Sequence, residues 1–260
     1  LDAGELPEID MVEDGRMWHL GPISYPGLLD RMVDVYLPES YHQDAAARFP
    51  VIYMHDGQNL FDPEQAAFGV AWEVDETLDA LTAAGHVAPH IVVGVHNTSA
   101  RLAEYTPDVD PTYGGGDGDL YADFVAGLLK PLIDYHFRTR PEREATSLMG
   151  SSLGGIISLH IYMRYPQNFG RVGAVSPSLW WNDRSPVLSF QAYGGDMPVR
   201  LWLDMGTAED DDALMGPYLV ENLRLVRDRA LQRGMIYGDA WRIRAPSTTR
   251  RPGRQGFPAF

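Results

Sequence analysis

Residues 146–157 read TSLMGSSLGGII, and this stretch decides the fold. The residues at 146–150 are typical of a short buried strand. The run from Leu153 to Tyr165 has the composition of a helix, and Pro166 ends it. Between the two, residues 150–154 read GSSLG and fit the pattern G-x-S-x-G. A strand, a sharp turn with small residues and a helix together predict a nucleophile elbow, which holds the central serine above the edge of a sheet.

Ser152 is the central serine of this pattern and the predicted nucleophile. Its hydroxyl would lie at the N-terminus of the following helix, where the helix dipole favours negative charge. Gly155 gives a second place where the backbone can approach closely. Ser151 is a rival hydroxyl, but its place in the pattern disfavours it. The alternative without catalysis is a structural tight turn.

Short apolar strands alternate with helical patterns along the rest of the chain. We predict strands at 29–37, 50–54, 90–95, 172–176 and 199–205, and helices at 71–84, 119–136 and 216–233. This alternation with short connections predicts a mostly parallel sheet with helices on both faces. Together with the elbow it predicts an α/β-hydrolase fold, as a single domain over residues 1–260 and without a large lid domain.

The composition restricts the classes of function and partner that the chain can have. The chain has 260 residues, of which 45% are hydrophobic and 22% charged, as in globular proteins. A net charge of −15 disfavours nucleic acid and anionic membranes as partners. The absence of cysteine excludes disulfides and thiolate catalysis. Since no run of 18 apolar residues and no secretory signal pattern occurs, we expect a soluble protein, cytoplasmic rather than secreted.

The loop after the strand at 50–54 is predicted to complete an oxyanion hole. A tetrahedral intermediate needs two or more N–H donors aimed at its oxyanion. One is expected from Leu153, and the other from the loop that follows an earlier strand. In that loop Gly57 or Gln58 is the candidate donor, and His55 is expected to hold the loop by hydrogen bonds rather than to act as a base.

Four motifs, in their order along the chain, resemble one known family. They are HDGQNLFD at 55–62, EYTP at 104–107, GSSLGG at 150–155 and SPSLWW at 176–181. From roughly residue 30 to residue 235, the chain resembles the α/β-hydrolase family that includes esterase D, enterochelin esterases, and feruloyl and acetylxylan esterases. The resemblance implies hydrolysis of small carboxylic esters without a metal or other cofactor.

The resemblance places the acidic member of a catalytic triad after the next-to-last strand. Glu209 fits best, three residues after Gly206, and Asp210 is the alternate. The plainer interpretation of this acidic run is a solvated loop. In this fold a histidine follows the acid near the end of the chain. The last of the eight histidines is His160, so the general base has no candidate in the expected place.

The tail at 240–260 is arginine-rich and has no acidic residue, although the family would have a helix there. One back-translation of residues 245–260, shifted by two bases, encodes A-E-H-D-E-A-A-W, which resembles the family's histidine motif. We therefore expect that a frameshift replaced the original tail. If the tail is genuine, the base is lost, and triad loss costs several orders of magnitude in rate.

Aromatic residues are the candidates for substrate contact. Trp180 and Trp181 follow a strand, and Tyr105 begins a glycine-rich loop at 104–118 that is either a mobile surface loop or a flap beside the site. His96 ends another strand and is a further candidate. Such side chains suit an acyl or aromatic ester group, although each tryptophan is equally well explained as core.

Three functions remain open from the sequence. The first is a serine carboxylesterase that hydrolyses short-chain or aryl esters through an acyl-enzyme on Ser152. The second is an acyltransferase on the same fold. The third is a catalytically impaired binding protein, which the missing late histidine favours and the intact elbow opposes.

Overall fold

The computed structural model describes residues 6–195, 197–207, 215–235 and 241–244. Glu209, Asp210 and the tail from residue 245 onward lie outside these residues. The described residues group into two units. The first unit contains residues 6–99 and 127–141, and the second contains the described parts of 100–126 and 142–244. The single domain expected over residues 1–260 stays a prediction.

In chain order the strands are β1 (Met11–Asp14), β2 (Met17–Ile23), β3 (Arg31–Tyr36), β4 (Val51–His55), β5 (Ile91–Val95), β6 (Thr146–Ser151), β7 (Arg171–Val175), β8 (Arg200–Gly206) and β9 (Trp241–Arg244). The α-helices are α1 (Val74–Ala83), α2 (Arg101–Glu104), α3 (Gly118–Phe124), α4 (Lys130–His136), α5 (Leu153–Arg164), α6 (Trp181–Ala192) and α7 (Met215–Gln232). A π-helical turn, Val125–Leu129, joins α3 to α4, and short 3₁₀ turns lie at Glu39–Tyr41, Gly57–Asn59, Ala67–Gly69 and Arg143–Ala145.

The first unit is built on five strands in the order β1-β2-β3-β5-β4. The strands β1, β2, β3 and β5 pair antiparallel, and β4 pairs parallel to β5. Every residue of β4 and β5 is buried, which explains their continuous apolar sequences. The partly buried loop that follows β4 is the one expected to supply an oxyanion donor.

The second unit is built on β6, β7, β8 and β9, which pair in this order and are all parallel. The helix α5 packs against β6 and β7, and α7 packs against β8. Nine of the twelve residues of α5 are buried, so this helix is apolar on almost every side and belongs to the core. The junction between β6 and α5 is therefore fixed by a buried strand before it and a buried helix after it.

The predicted strands and helices correspond to β3 through β8, α1, the α3–α4 stretch, α5 and α7. The hairpin of β1 and β2, the short α2, the strand β9 and α6 were not predicted from the sequence. The α6 pattern was hidden by Pro186 and by non-helical backbone at 182–184. None of the described helices has the length and apolar surface needed to cross a bilayer.

The pKa values of two aspartates of α1 are shifted in opposite directions. Burial, followed by a hydrogen bond and charge from Glu76, raises the pKa of Asp75 from 3.8 to about 7. Asp79 instead receives hydrogen bonds from Arg16 at 3.0 and 2.7 Å, and these lower its pKa below 3.8. A raised folded-state pKa removes stability as pH rises, whereas a lowered one removes stability as pH falls.

We predict that Asp75→Asn and Asp79→Asn change the pH dependence of stability in opposite ways. Wild type should lose stability relative to Asp75→Asn between about pH 4 and pH 7, because ionised Asp75 is disfavoured only in the folded state. Wild type should be more stable than Asp79→Asn at neutral pH, and this difference should vanish in acid. Urea unfolding from about pH 2 to pH 8 measures both, because the series must pass below the lowered folded-state pKa of Asp79. Parallel curves for the two variants would contradict this assignment.

Candidate active site

The residue between β6 and α5 has an unusual backbone. Ser152 has φ 58° and ψ −121°, a conformation that residues other than glycine rarely adopt. Its own N–H donates to the carbonyl of Val175 at 3.0 Å, which fixes the turn. The Ser152 side chain is exposed, whereas Leu153 directly after it is buried. The structure therefore presents the predicted nucleophile to solvent at the N-terminus of a buried helix.

The glycines of the motif are required for space. A Cβ on Gly150 would lie 2.6 Å from the backbone of Gly154. Only glycine therefore allows the end of β6 to approach the first turn of α5 this closely. A Cβ on Gly155 would lie 2.8 Å from Cβ of Pro177. The two positions together allow β6, α5 and the segment after β7 to meet at the serine.

The segment after β7 lies directly against the nucleophile. The Ser176 N–H donates to both the backbone carbonyl and Oδ1 of Asp204, at 3.1 and 3.0 Å. Asp204 is buried in β8. The Ser178 N–H then donates to the carbonyl of Ser152 at 3.0 Å. These bonds fix the position of residues 176–178 relative to the elbow.

Ser178 is a residue that the sequence analysis did not single out. Its Oγ lies 3.0 Å from Oγ of Ser152, within hydrogen-bond distance. Among the described residues, Ser178 is the only one whose side chain bonds to the Ser152 hydroxyl. The available signal was the SPSLWW motif at 176–181, in which this serine directly precedes the apolar residue and the two tryptophans.

Aromatic side chains follow at once in the sequence. Trp181 is 1% exposed, and its Nε1 donates to the carbonyl of Asp108 at 3.0 Å. Tyr113 is 60% exposed and lies against both tryptophans, with ring centroids 6.5 Å from Trp180 and 6.2 Å from Trp181. Trp181 is therefore a buried structural residue, whereas Trp180 and Tyr113 present aromatic surface to solvent.

The glycine-rich loop at 104–118 packs onto this aromatic cluster. A Cβ on Gly115 would lie 2.9 Å from Cζ2 of Trp181, so the loop approaches the ring closely. Tyr105 has no exposed surface, and its ring centroid lies 5.1 Å from that of Tyr121. We therefore revise the predicted role of Tyr105 from substrate contact to support of the loop.

In the first unit, the loop after β4 is held in a defined conformation. Asp56 has φ 59° and ψ 47°, and a Cβ on Gly57 would lie 2.4 Å from the backbone of Gly94. Asn97 donates from its backbone N–H to Oε1 of Gln58 at 3.1 Å and from its side chain to Oδ1 of Asp56 at 2.6 Å. The roles of Gly57 and Gln58 as oxyanion donors stay predictions.

His96, also in the first unit, is tied to a buried carboxylate. Its Nε2 lies 2.7 Å from Oδ2 of Asp34, and Nδ1 of His19 lies 2.7 Å from Oδ1 of the same residue. Burial alone would raise the pKa of Asp34, but hydrogen bonds and charge from His96 and His19 hold it below 3.8. His96 lines an open groove of about 690 Å³ together with residues 28–32 and 97–99. The predicted contact of His96 with substrate stays a proposal.

No histidine among the described residues hydrogen-bonds to Ser152. His160 lies on α5, where its Nε2 bonds to Asp119 at 2.7 Å. Because residues 208–214 and the tail from 245 onward are outside the described chain, the predicted acids Glu209 and Asp210 have no described geometry. The described part of the site therefore brings the predicted nucleophile together with the hydroxyl of Ser178, in the same unit as the aromatic cluster of Tyr113, Trp180 and Trp181.

An elbow of this geometry on parallel strands is the hallmark of serine hydrolases. The family model described as "Putative esterase" matches residues 29–233. The chain belongs to this esterase family. Membership confirms the family expected from the four sequence motifs, together with the α/β-hydrolase fold and carboxylic ester hydrolysis as the class of enzyme activity.

Several relatives of this esterase are named for siderophores. The siderophore triacetylfusarinine C esterase of Aspergillus fumigatus is 32% identical over 154 residues, 54% of this chain and 48% of that protein. The ferri-bacillibactin esterase BesA of Bacillus subtilis is 26% identical, over 59% of this chain and 56% of that protein. The chain thus aligns with only about half the length of these curated relatives.

Solved structures show the same fold over most of the chain. The BES protein from Bacillus cereus has a TM-score of 0.62 at 22% identity, covering 92% of this chain and 89% of that one. The enterobactin esterase of Shigella flexneri has a TM-score of 0.64 at 19% identity, covering 92% of this chain and 53% of that one.

We predict that Gly155→Ala destabilises this esterase by about 1–3 kcal/mol, because its methyl group would press on Pro177 in a packed core. Urea unfolding measures the change. Gly194→Ala is the matched control in the same unit, since a Cβ there meets nothing within 4 Å. Its effect should stay within about 0.5 kcal/mol. Equal stabilities for the two variants would contradict the close approach of α5 to the segment after β7.

Proposed function

We propose that this esterase is a serine carboxylesterase that hydrolyses short-chain or aryl esters through an acyl-enzyme on Ser152. One observation carries the proposal. Ser152 is exposed and has a left-handed backbone at the junction of β6 and α5. Strained backbone of this kind persists only where the surrounding structure enforces it, and it is concentrated at functional sites.

The proposed reaction proceeds in two halves. Ser152 Oγ attacks the ester carbonyl, its proton passes to a general base, and the alcohol leaves with that proton. Water then attacks the acyl-enzyme and releases the acid. We assign the oxyanion to the N–H of Leu153, which as the first residue of α5 has no acceptor within its helix, and to the loop of Gly57 and Gln58.

The acidic member of the triad is assigned to Glu209, with Asp210 as the alternate, on the family resemblance alone. Its usual role is to orient the base and to stabilise the cation formed on it. The base has no described candidate, so activity itself is the test of whether the chain supplies one. No metal or cofactor is part of this proposal.

The exposed aromatic surface of Trp180 and Tyr113 supports an aryl or short acyl group as the part of the substrate recognised. Val109, which lies in the same loop as Tyr113, is 63% exposed. Exposed apolar surface next to a polar site is typical of ligand contact. Because relatives of 32% and 36% identity are named as siderophore esterases, siderophore esters belong in the panel of test substrates.

The experiment compares hydrolysis of p-nitrophenyl acetate and butyrate by wild type, Ser152→Ala and Ser151→Ala. We expect turnover by wild type and Ser151→Ala, and a loss of at least about 10³-fold in Ser152→Ala because the nucleophile is removed. Wild-type turnover no faster than that of Ser152→Ala would contradict the esterase proposal and favour a disabled hydrolase. Diversion of the acyl group to an added alcohol, with little free acid formed, would favour an acyltransferase.

We further predict that Trp180→Ala lowers kcat/KM for aryl esters by about 3- to 10-fold, since one aromatic contact contributes about 0.5–1.5 kcal/mol. Phenyl acetate and methyl benzoate test the two sides of the ester, and ethyl acetate is the substrate without a ring. Loss of activity to the same extent on all three esters would show that Trp180 supports the site without contacting an aryl group.

A further inference from the structure

We propose that Ser178 is a further catalytic residue, whose hydroxyl donates a hydrogen bond to Ser152 Oγ whenever that oxygen carries negative charge. This inference rests on the proposed esterase function. The two oxygens are 3.0 Å apart, and Ser178 is 5% exposed. A hydroxyl at this distance contacts the reacting atom itself, so its effect does not pass through another side chain.

Two bonds fix Ser178 relative to the nucleophile. Besides the contact between the hydroxyls, the Ser178 N–H donates to the carbonyl of Ser152 at 3.0 Å. The carbonyl of Ser178 in turn accepts from the N–H of Trp181 at 3.1 Å. The hydroxyl is therefore held by backbone on both sides, and only its own rotation remains free.

The two residues before Ser178 are themselves held in place by neighbouring parts of the second unit. Ser176 has φ 41° and donates its N–H twice to buried Asp204. Pro177 fills the space above Gly155. A donor that is oriented before the reaction begins loses little energy in reorganisation, and this is the arrangement that stabilises charge most effectively in enzymes.

The chemistry gives this donor a role in both halves of the reaction. In acylation, Ser152 loses its proton to the base while Oγ forms a bond to the carbonyl carbon. In deacylation, the carbon–Oγ bond breaks and its electron pair returns to Oγ, which takes back a proton from the base. Oγ has alkoxide character at both moments. Ser178 keeps its own proton throughout, so the balance of the reaction is unchanged.

A purely structural role for the Ser178 hydroxyl makes a different prediction. If it only fills space or stabilises the fold, its removal should lower stability and leave the reactivity of the folded protein unchanged. Ser158 is a suitable control because it is also a buried serine of the second unit, and its hydroxyl donates to the carbonyl of Gly154 at 2.8 Å instead of contacting the nucleophile.

The test measures the rate of covalent inactivation by a fluorophosphonate, together with kcat and KM for p-nitrophenyl acetate, in wild type, Ser178→Ala and Ser158→Ala. We expect Ser178→Ala to lower kcat and the inactivation rate by about 10- to 100-fold, the range for a hydrogen bond to a charged group. KM should change less than about twofold, because the bond strengthens only in the transition state. Ser158→Ala should keep the wild-type kcat and inactivation rate, even where its melting temperature falls.

The outcomes separate this inference from the proposed function. A wild-type protein that the fluorophosphonate does not label would overturn the esterase function itself. A labelled wild type with an equally reactive, folded Ser178→Ala variant would overturn the role of Ser178 alone, and so would an equal loss of reactivity in Ser158→Ala. If Ser178→Ala does not fold, Ser178→Cys retains the shape with a weaker donor, and a wild-type rate in that variant would also overturn the proposal.

Discussion

The structure of the site depends on one backbone constraint, the left-handed conformation of Ser152 where β6 passes into α5. A residue with a side chain in this region costs about 1–3 kcal/mol, which the rest of the fold must supply. It does so through a strand buried from 146 to 150, a helix buried on almost every side, and two glycines without which strand, helix and the segment after β7 would collide. The strained backbone has a chemical consequence, because it exposes a polar side chain between a buried strand and a buried helix.

The second unit adds function to that constraint through a single short segment, residues 176–181. Asp204 holds its first residue, Ser178 brings a hydroxyl to 3.0 Å from the nucleophile, and Trp181 supports the glycine-rich loop through the carbonyl of Asp108. This one stretch of chain thus carries the hydrogen-bond partner of Ser152 and two residues of the aromatic cluster. The SPSLWW and G-x-S-x-G motifs are in direct contact through the hydroxyls of Ser178 and Ser152.

The features that could be predicted from the sequence were those that depend on short, consecutive stretches of residues. The elbow followed from the twelve residues 146–157. The strands β4 through β8 followed from short apolar runs, because burial on both faces demands continuous hydrophobicity. Contacts between distant residues were not predictable in this way. The contact between Ser152 and Ser178 joins positions 26 apart, and the complete burial of Tyr105 against Tyr121 could not be seen in a loop rich in glycine and proline. The edge hairpin of β1 and β2 was missed because β1 has only four residues, which are mostly exposed, and because β2 contains Gly21 and Pro22.

The central claim is that Ser152, and no neighbouring hydroxyl, is the nucleophile. The most direct measurement is to treat the protein with diethyl p-nitrophenyl phosphate, digest it with trypsin and map the adduct by mass spectrometry. Trypsin separates the candidates, since residues 144–164 contain Ser151 and Ser152 whereas residues 172–184 contain Ser178. The structure predicts one diethylphosphoryl group, on peptide 144–164, with fragment ions placing it on Ser152. An adduct on Ser151 or Ser178, or no adduct at all, would contradict the claim.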